Sequence, residues 1–260
     1  MSTSDIVALE WNVPELQKMK KYPTSLFYKG DVALLKKRKI SIVGSRKPNQ
    51  YTRQLTARLA QSLSQRDVCI VSGAAMGVDA IAHKSAGASQ TIAVMANGLD
   101  IRYPAVNKSL IEEIENQGLV LSQFEAGSKA RSWSFVVRNE LVVALGEALI
   151  VTQADLESGT MRSVAYALAM GTPIYVLPHR IGESEGTQKL LADNKAEAIY
   201  DIERFCEGFG ALAQETNDDF LHYCQTNPSY EEALASFGDR VLEYELEGKI
   251  VISNATIHLR

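Results

Sequence analysis

Six short apolar runs recur between residues 40 and 178: "ISIVG" (40–44), "VCIVSG" (68–73), "TIAVMA" (91–96), "LVLSQF" (119–124), "ALIVTQ" (148–153) and "PIYVLP" (173–178). They are rich in Val and Ile and apolar on both faces, the pattern of parallel strands buried between two helix layers. Stretches of helical period separate them, among them "YTRQLTARLAQSLSQ", "NKSLIEEIENQG" and "SFVVRNELVVALG". Gly87, Gly118, Gly146 and Gly171 stand where these helices should stop. The alternation predicts an α/β fold, an extended Rossmann-like doubly wound sheet over residues 40–208, with its ligand crevice at the C-terminal ends of the strands.

The flanks read differently. Residues 1–39 are expected to form an irregular basic lead-in packed on the core, interrupted by Pro14 and Pro23. Beyond about residue 205, "DDFLHYCQTN", "SYEEALASFG" and "DRVLEYELEGKIVISNATIHLR" predict three short helices and a two-stranded hairpin with Asn254 near its turn. That order describes a small C-terminal winged-helix-like domain over 215–260, joined through a linker at 209–217.

Composition narrows the function classes. At 260 residues and 46% hydrophobic, the chain can bury a substantial core. No apolar run reaches the roughly 18–20 residues that cross a bilayer, and the N-terminus lacks the basic start and apolar centre of a secretory signal. The expected location is cytoplasmic, without a membrane partner. Cys69, Cys206 and Cys224 are too scattered for a disulfide framework or a zinc site. The net charge of −4 hides an asymmetry: residues 1–66 hold 13 Lys or Arg against four acids, and residues 215–260 hold nine acids against three bases. One end attracts a polyanion and the other repels it. The Lys36–Lys39 run is by default a solvated face.

The chemistry sits in the loops that leave the strands. Gly44, Ser45, Arg46 and Lys47 come after the first. Ser72, Gly73 and Gly77 come after the second and are placed to form a backbone nest leading into a helix. The third leads to "NGLDIRYP" (97–104). The fourth leads to a segment carrying Lys129, Arg131 and Arg138, with Trp133 and Phe135 between them; such aromatics stack on bases or pack beneath the loop. After the fifth, Ser158 is positioned to cap a helix while Gly159 and Thr160 present N–H and hydroxyl groups. Glycine, hydroxyl and arginine groups converging on one rim form an inventory for phosphate. Asp79 and His83 share a helix face at i and i+4, but no third metal ligand accompanies them, and a hydrogen-bonded His83 is the favoured reading. No histidine stands in a recognisable nucleophile motif. No catalytic group, metal or cofactor is expected.

The segments "VGSRKPNQYT", "IVSGAAMGVDAIAHKSA", "NGLDIRYPAVN", "LVLSQF" and "SFVVRNELVVALGEALIVTQADLESGTMRSVAYALAMGTPIYVLP" resemble, in order, the motifs of the DprA/Smf family, DNA processing protein A. The resemblance covers about residues 20–203. It implies a single-stranded DNA-binding recombination mediator of natural transformation that protects incoming DNA, has no nucleotide cofactor, forms a homodimer and helps load RecA. It also implies that the DNA pocket uses Gly44, Ser45 and Arg46, then Ser72, Gly73 and Gly77, then Ser158, Gly159 and Thr160, with Lys129 and Arg131 in the basic loop. The sterile-alpha-motif-like N-terminal domain of many members is expected to have no counterpart here. Gln123, Glu140 and the pair Pro178–His179 depart from the family's usual residues.

Two alternatives remain open on sequence. A LOG-type nucleoside monophosphate phosphoribohydrolase shares such a core, but its motif needs a glutamate where "SGTMRS" offers Arg162 and Ser163. A DNA-reading winged helix is disfavoured by the acids of "DRVLEYELEG", which like-charge repulsion keeps from phosphates. That acidic module is expected to bind protein, or the basic face of the large domain.

Overall fold

The computed structural model describes residues 6–212, 219–224, 226–253 and 255–259. The chain divides into two units, Met1–Leu212 and Ala213–Arg260. Nine strands of the first unit form one sheet: β1 (Val7–Ala8), β2 (Phe27–Gly30), β3 (Lys39–Val43), β4 (Cys69–Ser72), β5 (Thr91–Met95), β6 (Leu119–Ser122), β7 (Leu149–Val151), β8 (Ile174–Val176) and β9 (Glu197–Ala198). Their order is β1-β2-β6-β5-β4-β3-β7-β8-β9. All six expected runs are strands, and they pair in parallel.

The lead-in is not irregular. Residues 27–30 pair antiparallel with β6, and β1 pairs antiparallel with β2, so this segment extends the sheet while Val13, Leu16 and Leu26 join the core. Its signal is weak because β2 is a four-residue, half-buried strand near the sheet's edge, without the two-sided apolar pattern of a central one. The cationic run is also less free than a solvated face. Lys37 pairs with Asp67 at 2.5 Å and Arg38 with Glu147 at 2.7 Å. Lys39 is buried, its Nζ 2.7 Å from Glu15 and donating to the carbonyls of Leu35 and Lys37.

The two helix layers explain why the central strands are apolar throughout. On one face, Leu59, Ala60 and Leu63 of α1 (Gln50–Ser64), Val78 and Ala82 of α2 (Val78–Ala86) and Ile202 near the end of the first unit pack on Ile40, Ile42, Ile70 and Ile150. On the other, Leu141–Leu145 and Val164 pack on Val43, Val71, Leu149 and Val151. Consecutive strand residues such as Ile42 and Val43 point to opposite layers, and each fully buried Val, Leu or Ile contributes about 1.5–3 kcal/mol. α3 (Lys108–Gln117), α4 (Ser132–Leu145) and α5 (Thr160–Met170) complete the crossovers, and α6 (Glu185–Ala192) and α7 (Ile202–Glu207) come after β8 and β9. Gly87, Gly118, Gly146 and Gly171 are the C-caps of α2, α3, α4 and α5. All three cysteines are buried.

In the second unit α8 (Asp219–Cys224), α9 (Tyr230–Phe237) and α10 (Arg240–Leu246) precede an antiparallel hairpin, β10 (Ile250–Ser253) and β11 (Thr256–Leu259). Phe220, Cys224, Ala233, Val241, Ile250 and Ile257 form its own core. Ser229 and Glu232 cap α9 reciprocally, which fixes its start. The expected order of elements is present. Asn254 and residues 213–217 of the expected linker lie outside the described residues.

Candidate nucleic-acid interface

The order of the sheet reverses between β3 and β7: the chain steps from β3 to β4 on one side and from β7 to β8 on the other. Loops leaving the two strands therefore diverge and open a crevice at their C-terminal ends. A cleft of about 780 Å³ lies there, bordered by the loop after β3, the loop after β7 and the first turns of α4.

The first wall is Gly44–Ser45–Arg46. A Cβ on Gly44 would stand 2.7 Å from Val78 Cγ2 and 3.1 Å from the Gln153 carbonyl oxygen, so only glycine lets this loop lie against the end of β7. Lys47 N–H donates to Ser45 Oγ at 3.1 Å, and the Asn49 side chain caps α1 by accepting from Thr52 N–H at 2.8 Å. Arg46 is exposed, its guanidinium 5.5 Å from the centre of the Phe135 ring, a cation–π contact that orients the charge without neutralising it.

The second wall is the start of α5. Its N-cap is Gly159, which offers no side-chain cap; Met161 and Arg162 N–H already donate to the carbonyls of Ser158 and Gly159, at 3.1 and 3.2 Å, so an anion at this helix start would meet the N–H groups of Gly159 and Thr160. Thr160 Oγ1 donates to Gly44 O at 3.1 Å and ties the walls together. Ser158 does not cap the helix as expected. Its Oγ is buried beside the cleft without a hydrogen-bond partner among the described residues, which leaves a hydroxyl able to donate to a ligand oxygen.

The third wall is aromatic. Trp133, 57% exposed, meets Phe124 edge-on at 5.6 Å. Phe135 is half-buried between Arg46 and Tyr103, its ring 6.1 Å from that of Tyr103, which is itself 47% exposed. Among the described residues lining this cleft there is no histidine or cysteine.

Comparison with known proteins identifies the family. Residues 8–210 match the family model described as DNA recombination-mediator protein A. The chain belongs to that family. It is similar to DNA processing protein DprA of Streptococcus pneumoniae, 34% identical over 187 residues, which are 70% of this chain and 65% of the relative. It is also similar to Protein Smf of Escherichia coli, 30% identical over 245 residues, 89% of this chain and 65% of the relative. The chain spans about half to two thirds of the length of the curated relatives it matches first. Among solved structures, DNA processing protein A of Helicobacter pylori, reported for its single-stranded DNA binding mode, superposes with a TM-score of 0.77 at 39% identity, covering 78% of this chain and 94% of that one. DprA of Streptococcus pneumoniae gives 0.73 at 31% identity, over 79% and 74%.

In this member of the DNA recombination-mediator protein A family, several expected contact groups face inward. Ser72 Oγ donates to Ile42 O at 2.6 Å in the buried core. The expected nest at Gly73 and Gly77 is filled by the protein itself, since Asp79 Oδ2 accepts from Gly73 N–H at 3.1 Å and Ala75 N–H at 3.4 Å. Arg138 is 4% exposed. Its Nη1 donates to the carbonyls of Gly73 and Val94, the latter at 2.9 Å, bracing the ends of β4 and β5. Burial raises the Asp79 carboxyl above its usual range, opposed by the Arg138 charge and by backbone N–H groups. His83 belongs to the same buried layer: Nδ1 contacts Thr91 Oγ1 at 2.6 Å and Nε2 accepts from Ala74 N–H at 3.3 Å. Burial first, then the Arg138 charge, pushes its imidazole down to about 3. Asp79 and His83 are thus framework, and among the described residues no three His, Cys, Asp or Glu side chains gather as metal ligands.

Lys47, Lys129 and Arg131 stand outside the lining of the cleft. Arg131 is the residue before α4, where its N–H donates to Ser134 Oγ at 2.8 Å. Glu140, one of the departures from the family pattern, accepts from Lys20 N–H at 2.9 Å and fastens the N-terminal segment to α4. Arg162 and Tyr103 were not among the sequence candidates. Arg162 lines the main cleft, and Tyr103 lines a small cavity next to Arg46. For Arg162 the available signal was helical spacing, two residues beyond Thr160 in the first turn of α5.

Proposed function

We propose that the cleft between β3 and β7 binds single-stranded DNA and that the protein acts as a recombination mediator. The observation that carries this reading is the pairing of an exposed Arg46 and an α5 N-terminus without a side-chain cap on one side with exposed Trp133 and half-buried Phe135 on the other. Cation and helix N–H groups suit phosphates, and aromatic faces suit unstacked bases. Gly44, Ser45, Arg46, Ser158, Gly159 and Thr160 are the proposed contacts. Lys47, Lys129 and Arg131 supply charge beyond the cleft, and Ser72, Gly73, Gly77 and Arg138 hold its floor.

The reading is of a binder, not an enzyme. Where the phosphoribohydrolase alternative needs a carboxylate beyond the "SGT" loop, this chain has Arg162 and Ser163, and the buried Asp79 already accepts two backbone N–H groups. Protection of incoming DNA, a part in natural transformation, help in loading RecA, homodimeric assembly and a cytoplasmic location are proposed on family membership. The second unit is proposed as a winged-helix-like module whose acidic α10 meets a protein surface.

The test is fluorescence anisotropy of a labelled oligo-dT at two salt concentrations, competed with duplex DNA. Arg46→Glu should weaken binding at least tenfold and reduce the salt slope by about 0.7, the loss of roughly one phosphate contact on a single strand. Unchanged affinity would make the loop structural, and release of free base from AMP would favour the enzyme.

A further inference from the structure

The far end of the β3–α1 loop borders a second depression, of about 500 Å³, whose lining includes Gln50, Tyr51, His179, Arg180 and Glu183. Asn49 N–H donates to Gln153 Oε1 at 3.0 Å, so the ridge between this depression and the main cleft is anchored to the end of β7.

His179 lies just beyond β8, and its side chain is wholly buried. Nε2 lies 2.8 Å from Thr152 O. A carbonyl oxygen only accepts, so Nε2 carries the proton and Nδ1 of the neutral ring is left with a lone pair. Nδ1 has no hydrogen-bond partner among the described residues. Facing it at 3.9 Å is Glu183 Oε2, on a side chain 45% exposed, and a carboxylate also only accepts. Two acceptors confront each other with no donor between them.

Gln188 Nε2 donates to the carbonyls of Arg180 and Glu183, the latter at 2.8 Å, and so holds the turn. Tyr51 adds an aromatic face: its hydroxyl donates to Pro178 O at 3.0 Å, its ring meets the His179 ring edge-on at 5.5 Å, and it stays 42% exposed. A planar group that stacks and carries an N–H₂ would complement these acceptors and this ring.

We infer that this depression takes an amine-bearing nucleobase of the bound single strand: adenine, cytosine or guanine. As the exposed Glu183 side chain moves aside to admit it, the exocyclic amino group donates one hydrogen to the buried His179 Nδ1 and the other to Glu183, while the ring stacks on Tyr51 and exposed Arg180 meets the adjoining phosphate. Thymine has no exocyclic amine; its single N3–H can meet one acceptor and leaves the other unpaired. The inference rests on the single-strand reading of the main cleft and adds a base preference that phosphate contacts cannot give.

The test is anisotropy at pH 8 with labelled oligo-dC and oligo-dT of equal length. The wild-type protein should bind oligo-dC about fivefold more tightly, the worth of one neutral hydrogen bond. Glu183→Ala and His179→Leu should each abolish that preference while leaving oligo-dT affinity unchanged. Addition of oligo-dC, but not oligo-dT, should shift the ¹⁵N resonance of His179 Nδ1. Glu183 is surface-exposed, so its variant serves even where His179→Leu fails to fold. Equal wild-type affinities, or a preference that survives Glu183→Ala, would overturn this subsite while leaving the main cleft intact. Absence of binding by either oligonucleotide would remove the cleft reading and the subsite together.

Discussion

The α-carbon of Gly77 lies directly against the Ser45–Arg46 peptide. With φ at +80°, a Cβ there would collide with the Ser45 carbonyl oxygen and stand 2.6 Å from the carbonyl carbon of Arg46. The next N–H, from Val78, donates to that same Ser45 oxygen at 3.1 Å. The loop after β4 therefore sets the height of the loop after β3, and the position of Arg46 depends on a glycine in another element.

Gly77→Ala should accordingly cost about 1–3 kcal/mol of stability and weaken single-strand binding nearly as much as loss of the Arg46 charge. Gly87 provides the control. Its φ is +82°, but a Cβ would meet nothing within 4 Å, so Gly87→Ala should lower stability and leave DNA affinity unchanged. Urea denaturation beside oligo-dT anisotropy separates the two; equal affinity in both variants would uncouple the loops.

Arg138 should behave as a framework residue. Removing its guanidinium strands the carbonyls of Gly73 and Val94 and takes away the charge that opposes the effect of burial on Asp79. Each buried acceptor left unsatisfied costs about 1–3 kcal/mol, so Arg138→Met should lower the urea midpoint sharply. A variant of wild-type stability with weakened DNA binding would instead make Arg138 a direct contact.

The sequence was most legible where one force acted alone. Two-sided burial wrote the six parallel strands into plain apolar runs, and helix ends were readable in Gly87, Gly118, Gly146 and Gly171. The short strand β2 escaped because half-burial leaves no strong period. Among the residues that line the cleft, Gly44 and Arg46 were legible because they lie just beyond β3 in sequence, and Thr160 because it opens α5. Whether Arg138 faces DNA or spans two strand ends depends on which carbonyls lie within reach of α4. That is a tertiary fact, as is the filling of the Gly73 nest by a carboxylate six residues away.

His83 makes stability depend on pH in a defined window. Its folded-state value near 3 lies below the ordinary 6.5, so between these values the unfolded chain binds a proton that the folded one refuses. Stability is fully present above about pH 6.5 and falls as pH drops, by up to about 1.4 kcal/mol per unit. The carboxyls held low, those of Asp67, Glu147, Asp193 and Glu203, begin to contribute only near their ordinary values of 3.8 and 4.5. Raised Asp79 acts in the opposite sense, gaining stability on acidification. Denaturant titrations between about pH 5 and 6.5 should therefore show a slope that His83→Gln reduces; an identical slope in the variant would assign it elsewhere.

Removal of residues 215–260 tests where affinity resides. That segment holds nine acids against three bases, and its α10 exposes Leu242 and Leu246, with Glu243, Glu245 and Glu247 close by in sequence. An acidic, apolar face repels a phosphate chain and suits a basic protein surface. The second unit has a separate core, so its loss leaves the clusters beneath the cleft intact. Truncation should keep oligo-dT affinity within about twofold, tending toward tighter binding at low salt as about six net negative charges leave. A loss as large as that of Arg46→Glu would show that the second unit grips the strand itself.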